Sequence, residues 1–340
     1  MTKSALLVGA SGTLGSRILR LFGLALASTT VIPASRRGAG ATARSIDVGD
    51  PRTFAAALAG IDVVVNAAGP YRYDPAPLVA ACVERGIHYL DLAESPDFLG
   101  RVRQAATGAE AAGVAVVGGC SSVPGLVDLL ARPFFEEQGA RSVAAWLSMG
   151  SANAVSGALL EGLLAPLGRH APDGARYFGA VTSRIIGGRR LRFGRHPVGL
   201  AESVLPVRLH VGFDRAPLVY ALRAVAPALG QLSESAVARV ARAGAPLAAL
   251  FRPFGTPRGV LRVEALDEAG RALAAVEVEA HTDGLDVPAW PAVWVTRRLL
   301  QDASAGSGAL SLAEVVPRDE ALAELRSAGF EVREDPAPRE

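Results

Sequence analysis

Apolar positions fall into two rhythms along the chain. In the first third, short, largely apolar runs alternate with stretches in which apolar residues recur every three or four positions. The runs are 5–8, 29–34, 45–48, 61–65, 88–92 and 114–117, and the amphipathic stretches lie at 16–22, 51–58, 77–85 and 98–112. A continuous apolar run reads as a strand buried on both faces, and strands separated by helices read as a parallel, doubly wound sheet. An α/β Rossmann domain is therefore expected over 1–119. Pro33 removes a ladder donor from the second strand, whereas Asp50 and Pro51 form an N-cap and first turn.

Past residue 119 the strands lengthen and alternate. They are expected at 142–147, 181–186, 190–193, 205–211, 260–266 and 272–280, the last two joined in a hairpin across Asp267-Glu268-Ala269-Gly270. Helices are expected at 155–167, 217–229 and 235–241. This pattern predicts an α+β substrate domain with a mainly antiparallel sheet over 120–285, which would also be the dimerisation domain. A last segment, 286–340, carries helical stretches at 288–301 and 318–327, a loop at 304–308 and, past Phe330-Glu331-Val332, a tail, 335–340, expected to be disordered.

The first strand runs straight into Gly9-Ala10-Ser11-Gly12-Thr13-Leu14-Gly15. Between a strand and a helix this spacing fits dinucleotide binding. One glycine permits the turn, one lets backbone approach the pyrophosphate, and one lets helix and strand pack closely. The phosphates would sit on the helix N-terminus, where unpaired N–H groups favour an anion. At the end of the second strand stand Ser35, Arg36 and Arg37, and no acidic residue precedes Asp47. An arginine there accommodates the 2′-phosphate of NADP, whereas NAD calls for a carboxylate, so NADP is the expected cofactor. Asp47 and Val48 would meet the adenine, and the small residues of Asn66-Ala67-Ala68-Gly69-Pro70 would let the cofactor pass close to backbone.

Composition narrows the classes. Half the residues are hydrophobic, 20% are charged and the net charge is +2, which describes a globular chain with no general attraction to nucleic acid. Two cysteines, Cys82 and Cys120, make no disulfide framework and no metal motif with the scattered histidines, so no metal is expected and a reducing cytoplasm fits. No signal peptide and no integral membrane segment is read from the pattern, because the longer apolar stretches are broken by Arg223, Pro227 and Pro246. Lys3 is the only lysine, which leaves no candidate for Schiff-base or Tyr-x-x-x-Lys chemistry.

At Asn66-Ala67-Ala68-Gly69-Pro70-Tyr71 and at Gly86-Ile87-His88-Tyr89-Leu90-Asp91-Leu92-Ala93-Glu94 the chain resembles the saccharopine dehydrogenase-like oxidoreductases. That family joins the glycine segment to an N-x-x-G-P-Y turn and an H-Y-x-D-x-x-x-E stretch, and Ser121-Ser122-Val123-Pro124-Gly125 looks like its crossover into a second domain. Here Ala93-Glu94 replaces the more usual small residue plus Gly-Glu. The resemblance implies a Rossmann domain, an inserted substrate domain and a C-terminal segment that returns to the first. It also implies NADP- or NAD-linked chemistry, mostly at a carbon–nitrogen bond of amino-acid-derived substrates, with trans-acting enoyl reductases as other members.

Candidate chemistry clusters after the fourth and fifth strands, at the carboxyl end of the sheet. Tyr71 is a candidate proton donor or a loop tyrosine packed over the cofactor; Asp91 and Glu94 are a carboxylate pair for a substrate ammonium or a turn. His88 opens its strand, which favours a structural role. Arg184, Arg189, Arg190, Arg192 and Arg195 either grip a substrate anion or mark an exposed strand face. Three readings follow: a reductase or dehydrogenase acting on an imine or amine, an enoyl reductase for a lipid or polyketide, and a cofactor-binding regulator without turnover. A small-molecule substrate and a homodimer complete the expectation.

Overall fold

The structure, a computed structural model, describes residues 2–38, 42–136, 139–198, 206–302 and 304–335. Leu205 of the strand expected at 205–211 and all but the first residue of the expected tail lie outside these. The chain begins with β1 (Lys3–Val8), α1 (Thr13–Ala25), β2 (Thr29–Ser35), β3 (Arg44–Ser45), α2 (Phe54–Ala57), β4 (Val63–Asn66), α3 (Ala76–Glu84), β5 (His88–Asp91), α4 (Pro96–Ala105) and β6 (Ala115–Val117). After a π-helical turn at Ser122–Leu126 come α5 (Val127–Glu136), β7 (Ser142–Met149), α6 (Gly157–Leu164), β8 (Val181–Ile186), β9 (Arg189–His196), β10 (Val207–Phe213), α7 (Ala216–Leu229), α8 (Glu234–Ala249), β11 (Gly259–Leu266) and β12 (Ala272–Ala280). The last elements are α9 (Trp290–Gln301), β13 (Gly308–Leu310), α10 (Leu312–Val315), α11 (Arg318–Ser327) and β14 (Glu331–Asp335).

These elements form two compact units. The first holds described residues up to 129 together with 288–321, and the second holds 130–198, 206–287 and 322–335. The segment expected as one piece from 286 onward thus divides, with 288–321 in the first unit and 286–287 and 322–335 in the second.

The sheet of the first unit is ordered β13-β6-β5-β4-β1-β2-β3, and every pairing in it is parallel. This is the doubly wound arrangement expected from the alternating runs, with β13 added at the edge. Val63, Val64 and Val65 are all fully buried, because successive side chains enter opposite layers. Leu6, Val64, Tyr89 and Val116 join Leu78, Cys82, Phe98 and Val102 in the layer of α3 and α4. On the other side α9 packs against β4, β5 and α1, burying Val293, Trp294 and Val295.

The sheet of the second unit is ordered β14-β12-β11-β7-β10-β9-β8. It is mainly antiparallel, as expected, with β7 and β10 the parallel pair. Several boundaries differ from expectation for local reasons. The helix expected to reach residue 112 stops at Ala105, because Gly108 and Gly113 adopt left-handed φ values of +83° and +66°. Expected at 45–48, β3 spans only Arg44–Ser45. Asp47 turns its carboxylate onto the Gly49 N–H and its backbone onto the Thr53 hydroxyl. Conversely, α8 continues eight residues beyond the expected 241 to Ala249, running through Gly244 and Pro246. A Cβ on Gly244 would lie 3.3 Å from Leu160 of α6, so that glycine serves the helix contact. The helix α5 was not anticipated.

Candidate active site of the first unit

The glycine loop is shaped by close approach. Gly9 has a φ of +79°, and a Cβ there would stand 2.7 Å from the Ala67 carbonyl oxygen. A Cβ on Gly15 would stand 2.1 Å from the Gly9 oxygen, so neither position accepts a side chain without moving backbone. Gly12 donates its N–H back to Gly9 at 2.9 Å and caps α1 in an extended conformation. No side chain caps α1, and its first turn carries no acidic residue. The N–H groups around Thr13 and Leu14 therefore have neither a side-chain acceptor nor an anionic competitor.

Beside this loop, β2 ends at Ser35 and the chain turns, with Gly38 donating to the Ser35 carbonyl and Ser45 donating its hydroxyl to the Arg36 carbonyl. Both Arg36 and Arg37 are exposed, and among the described residues neither forms an ion pair. Asp47 and Val48 are half-buried beyond β3, and the Asp47 carboxylate holds its own turn. The backbone at Ala67 and Ala68 lies directly against Gly9, as the expected passage close to backbone requires.

Behind the loop after β4 lies a polar cluster. Asn66 is fully buried; its amide donates to the hydroxyls of Tyr73 at 2.7 Å and Tyr89 at 2.9 Å, and its side-chain oxygen accepts from Ala68 at 3.2 Å. Tyr71 donates its hydroxyl to the Asn66 carbonyl at 3.1 Å, and both Tyr71 and Tyr73 meet Phe98 edge to face. Burial, with help from Asp91, pushes the Tyr71 pKa well above its ordinary value. The Gly69–Pro70 and Val123–Pro124 bonds are cis.

Asp91 closes β5 and is fully buried. Its Oδ1 accepts from the N–H of Ala93 at 2.9 Å and of Gly119 at 3.0 Å, which ties the loops after β5 and β6 together. Its Oδ2 has no hydrogen-bond partner. Burial pushes its pKa up to about 6, a rise that the two N–H donors only partly offset. Glu94, by contrast, is exposed, and its charge adds to the field that raises Tyr71.

Other sequence candidates fall elsewhere. His88 accepts the Ala115 N–H on Nδ1 at 3.0 Å, and burial lowers its pKa, the behaviour of a neutral structural imidazole at the far end of β5. Cys120 is buried and its thiol is pushed well up by burial. In the second unit, Arg184 pairs with Glu264, Arg189 with Glu279 and Arg195 with Asp173. These guanidinium groups therefore bind the chain's own carboxylates. The buried acids Glu264, Glu277 and Glu279, with Arg262 and Arg333 between them, were missed. The signal was present in Arg262-x-Glu264 and Glu277-x-Glu279, charges placed at every second strand position on one face of the sheet. Glu279, His281 and Glu331 lie close enough to share a cation, but Arg189, Arg258 and Arg333 already neutralise them.

The family model described as the saccharopine dehydrogenase NADP binding domain matches residues 6–117. That stretch covers the glycine loop, the arginine turn, Asn66 and Asp91. Over residues 6–117 the chain is similar to this family. A curated relative, a probable mitochondrial saccharopine dehydrogenase-like oxidoreductase of Arabidopsis thaliana, is 28% identical over 116 residues. The match takes in 33% of this chain and only 26% of that protein. Among solved structures, apo saccharopine dehydrogenase (L-Glu forming) from Saccharomyces cerevisiae superposes with a TM-score of 0.62 at 15% identity, covering 99% of this chain and 100% of that one. An engineered D-amino acid dehydrogenase bound to NADP+ gives a TM-score of 0.51 at 16% identity, covering 95% and 99%. At these identities the superpositions show a shared fold. The matching model is described as NADP binding, and the D-amino acid dehydrogenase structure holds NADP+. Among the described residues no helix is long and apolar enough to cross a membrane.

Proposed function

We propose that the chain is an NADP-dependent oxidoreductase of the saccharopine dehydrogenase-like type that transfers hydride at the imine or amine carbon of an amino-acid-derived substrate. The observation that carries this reading is the cradle at the carboxyl end of the parallel sheet. Gly9 and Gly15 are held where side chains would collide, Gly12 leaves the α1 N-terminus without a side-chain cap, and two arginines without ion pairs among the described residues stand at the end of β2. These residues fit a dinucleotide bearing a 2′-phosphate. Thr13, Leu14 and Ser11 would hold the pyrophosphate, Arg36 with Ser35 and Arg37 the 2′-phosphate, and Asp47 and Val48 the adenine side. Residues 66–70 would bound the cofactor on its other flank.

When bound, NADPH supplies the hydride, and the protein has to orient the substrate, exclude water and manage one proton. Burial keeps the Tyr71 hydroxyl protonated through the working range, the state a donor needs, and its bond to the Asn66 carbonyl aims it toward the end of β4. Glu94 carries a carboxylate without a partner among the described residues, suited to a substrate ammonium. Asp91 positions both neighbouring loops through Ala93 and Gly119. We place the enzyme in a reducing compartment such as the cytoplasm and read it as a homodimer, which light scattering would test.

Tyr71→Phe should lower turnover by about 10²- to 10⁴-fold if the hydroxyl gives up its proton in the slow step, with NADPH affinity kept. Glu94→Gln should mainly raise the Michaelis constant for an aminated substrate. The decisive assay follows NADPH oxidation against an imine panel and an enoyl-thioester panel. Turnover confined to enoyl thioesters would replace this reading with a carbon–carbon reductase. Tight NADPH binding with no turnover on either panel would leave a regulator.

A further inference from the structure

We propose that the outer face of α8, with the turn that follows it, docks the second unit onto an anionic lipid surface. α8 has two apolar faces. The inner one, Val237, Ala241, Gly244 and Ala248, is built of small residues and packs against α6. The outer one is open among the described residues: Val240 is 43% exposed, Leu247 59%, Leu250 68%, Phe251 55% and Phe254 71%. Positions 240, 247, 250, 251 and 254 recur at the three-, four- and seven-residue intervals of a single helical stripe. Leu250 and Phe251 keep helical backbone beyond the last turn of α8, and a 3-10 turn at Arg252–Phe254 continues from them. Solvent-facing helix surface is normally polar, so a contiguous run of large apolar side chains marks a contact surface.

The surrounding charge says what that contact is. No Asp or Glu occurs between Glu234 and Glu264, whereas Arg239, Arg242, Arg252 and Arg258 fall within the same stretch. Arg239 and Arg242 are exposed and form no ion pair among the described residues, and Arg252 is exposed with its Nε on the Ala152 carbonyl. A symmetric contact with a second copy would bring these arginines against their own equivalents, with no acid in either patch to pair them. Phosphate headgroups supply that missing charge, while Leu250, Phe251 and Phe254 enter the boundary of the acyl chains. The flanking guanidinium groups can stay at headgroup level on their long stems.

The test uses the full chain and sedimentation with vesicles of phosphatidylcholine alone or mixed with phosphatidylglycerol. The protein should pellet with the anionic vesicles, less so as salt rises, and stay in solution with neutral ones. Leu250→Glu combined with Phe254→Glu should lower the partition coefficient by at least about tenfold, and Arg239→Gln with Arg242→Gln by several-fold. Because all four side chains are exposed, melting temperature, NADPH affinity and oligomeric state should be unchanged in both variants. Absence of binding to anionic vesicles, or equal binding by the glutamate variant, overturns the proposal. So does a dimer in light scattering that the glutamate variant converts to monomer, which would make the stripe a contact between copies.

Discussion

Replacing Asp91 by Asn turns a buried titratable carboxyl into its neutral isostere and exposes what burial costs at this position. Its folded pKa is about 6 against an ordinary value of 3.8. A difference of about two units corresponds to about 3 kcal/mol between the protonation states. The folded pKa lies above the unfolded one, so the native state holds its proton longer than the unfolded chain does. Stability therefore falls as pH rises from about 4 to about 6, and the whole cost is present above the folded pKa. Asn keeps an oxygen for the N–H groups of Ala93 and Gly119, but places an amide where Oδ2 has no partner. Protonated Asp91 buries a comparable unpaired donor at Oδ2, so near pH 4 the substitution changes little. The variant should thus be close to wild type near pH 4 and more stable than it near pH 7, the difference shifting by about 3 kcal/mol in favour of Asn. Urea unfolding of both proteins across this range measures it. Parallel stability curves would refute the reasoning, because they would mean that Asp91 does not titrate in this window.

Three further outcomes follow from the geometry. Gly15→Ala forces a methyl to within 2.1 Å of the Gly9 carbonyl oxygen, so β1 and α1 must part. We expect about 1–3 kcal/mol of lost stability in denaturant titration and a loss of NADPH binding larger than that of any surface substitution. Arg262→Met leaves Glu264 and Glu277, which are 1% and 2% exposed, short of a shared partner. It should cost about 3 kcal/mol in the same assay, and adding Glu264→Gln should restore part of it. Variants at Tyr71 and Glu94, assayed on the two substrate panels, should separate proton supply from substrate binding through turnover and Michaelis constant respectively.

The parallel unit was legible because its signal is local. Continuous valines at 63–65 can only be a strand buried on both faces, and Gly9, Gly12 and Gly15 occupy a turn that the following helix makes specific. Arg36 could be placed because β2 ends one residue before it. Less legible was whatever depends on partners distant in sequence. The Glu264 carboxylate meets Arg184, Trp146 and Arg262, and two of those three stand about 80 or more residues away. Arg184 of β8 and Arg189 of β9 looked available for a ligand because their carboxylates, Glu264 and Glu279, lie on β11 and β12. Asp91 was flagged by its place at a strand end, but its role in joining two loops rests on the Gly119 N–H, which only the assembled β5–β6 edge reveals. The helix expected at 235–241 stops short of the outer stripe of α8, which continues to Ala249 and the turn beyond it.

The central claim is that the loops at the carboxyl end of the first sheet bind NADPH and that Arg36 selects it over NADH. Calorimetric titration of wild type and Arg36→Ala with both cofactors tests this most directly. Loss of a charge-assisted contact to the 2′-phosphate should cost about 1.5–3 kcal/mol, so the variant should bind NADPH about 10- to 150-fold more weakly and NADH almost unchanged. Equal wild-type affinities for NADPH and NADH, or a variant that loses both alike, would contradict the account.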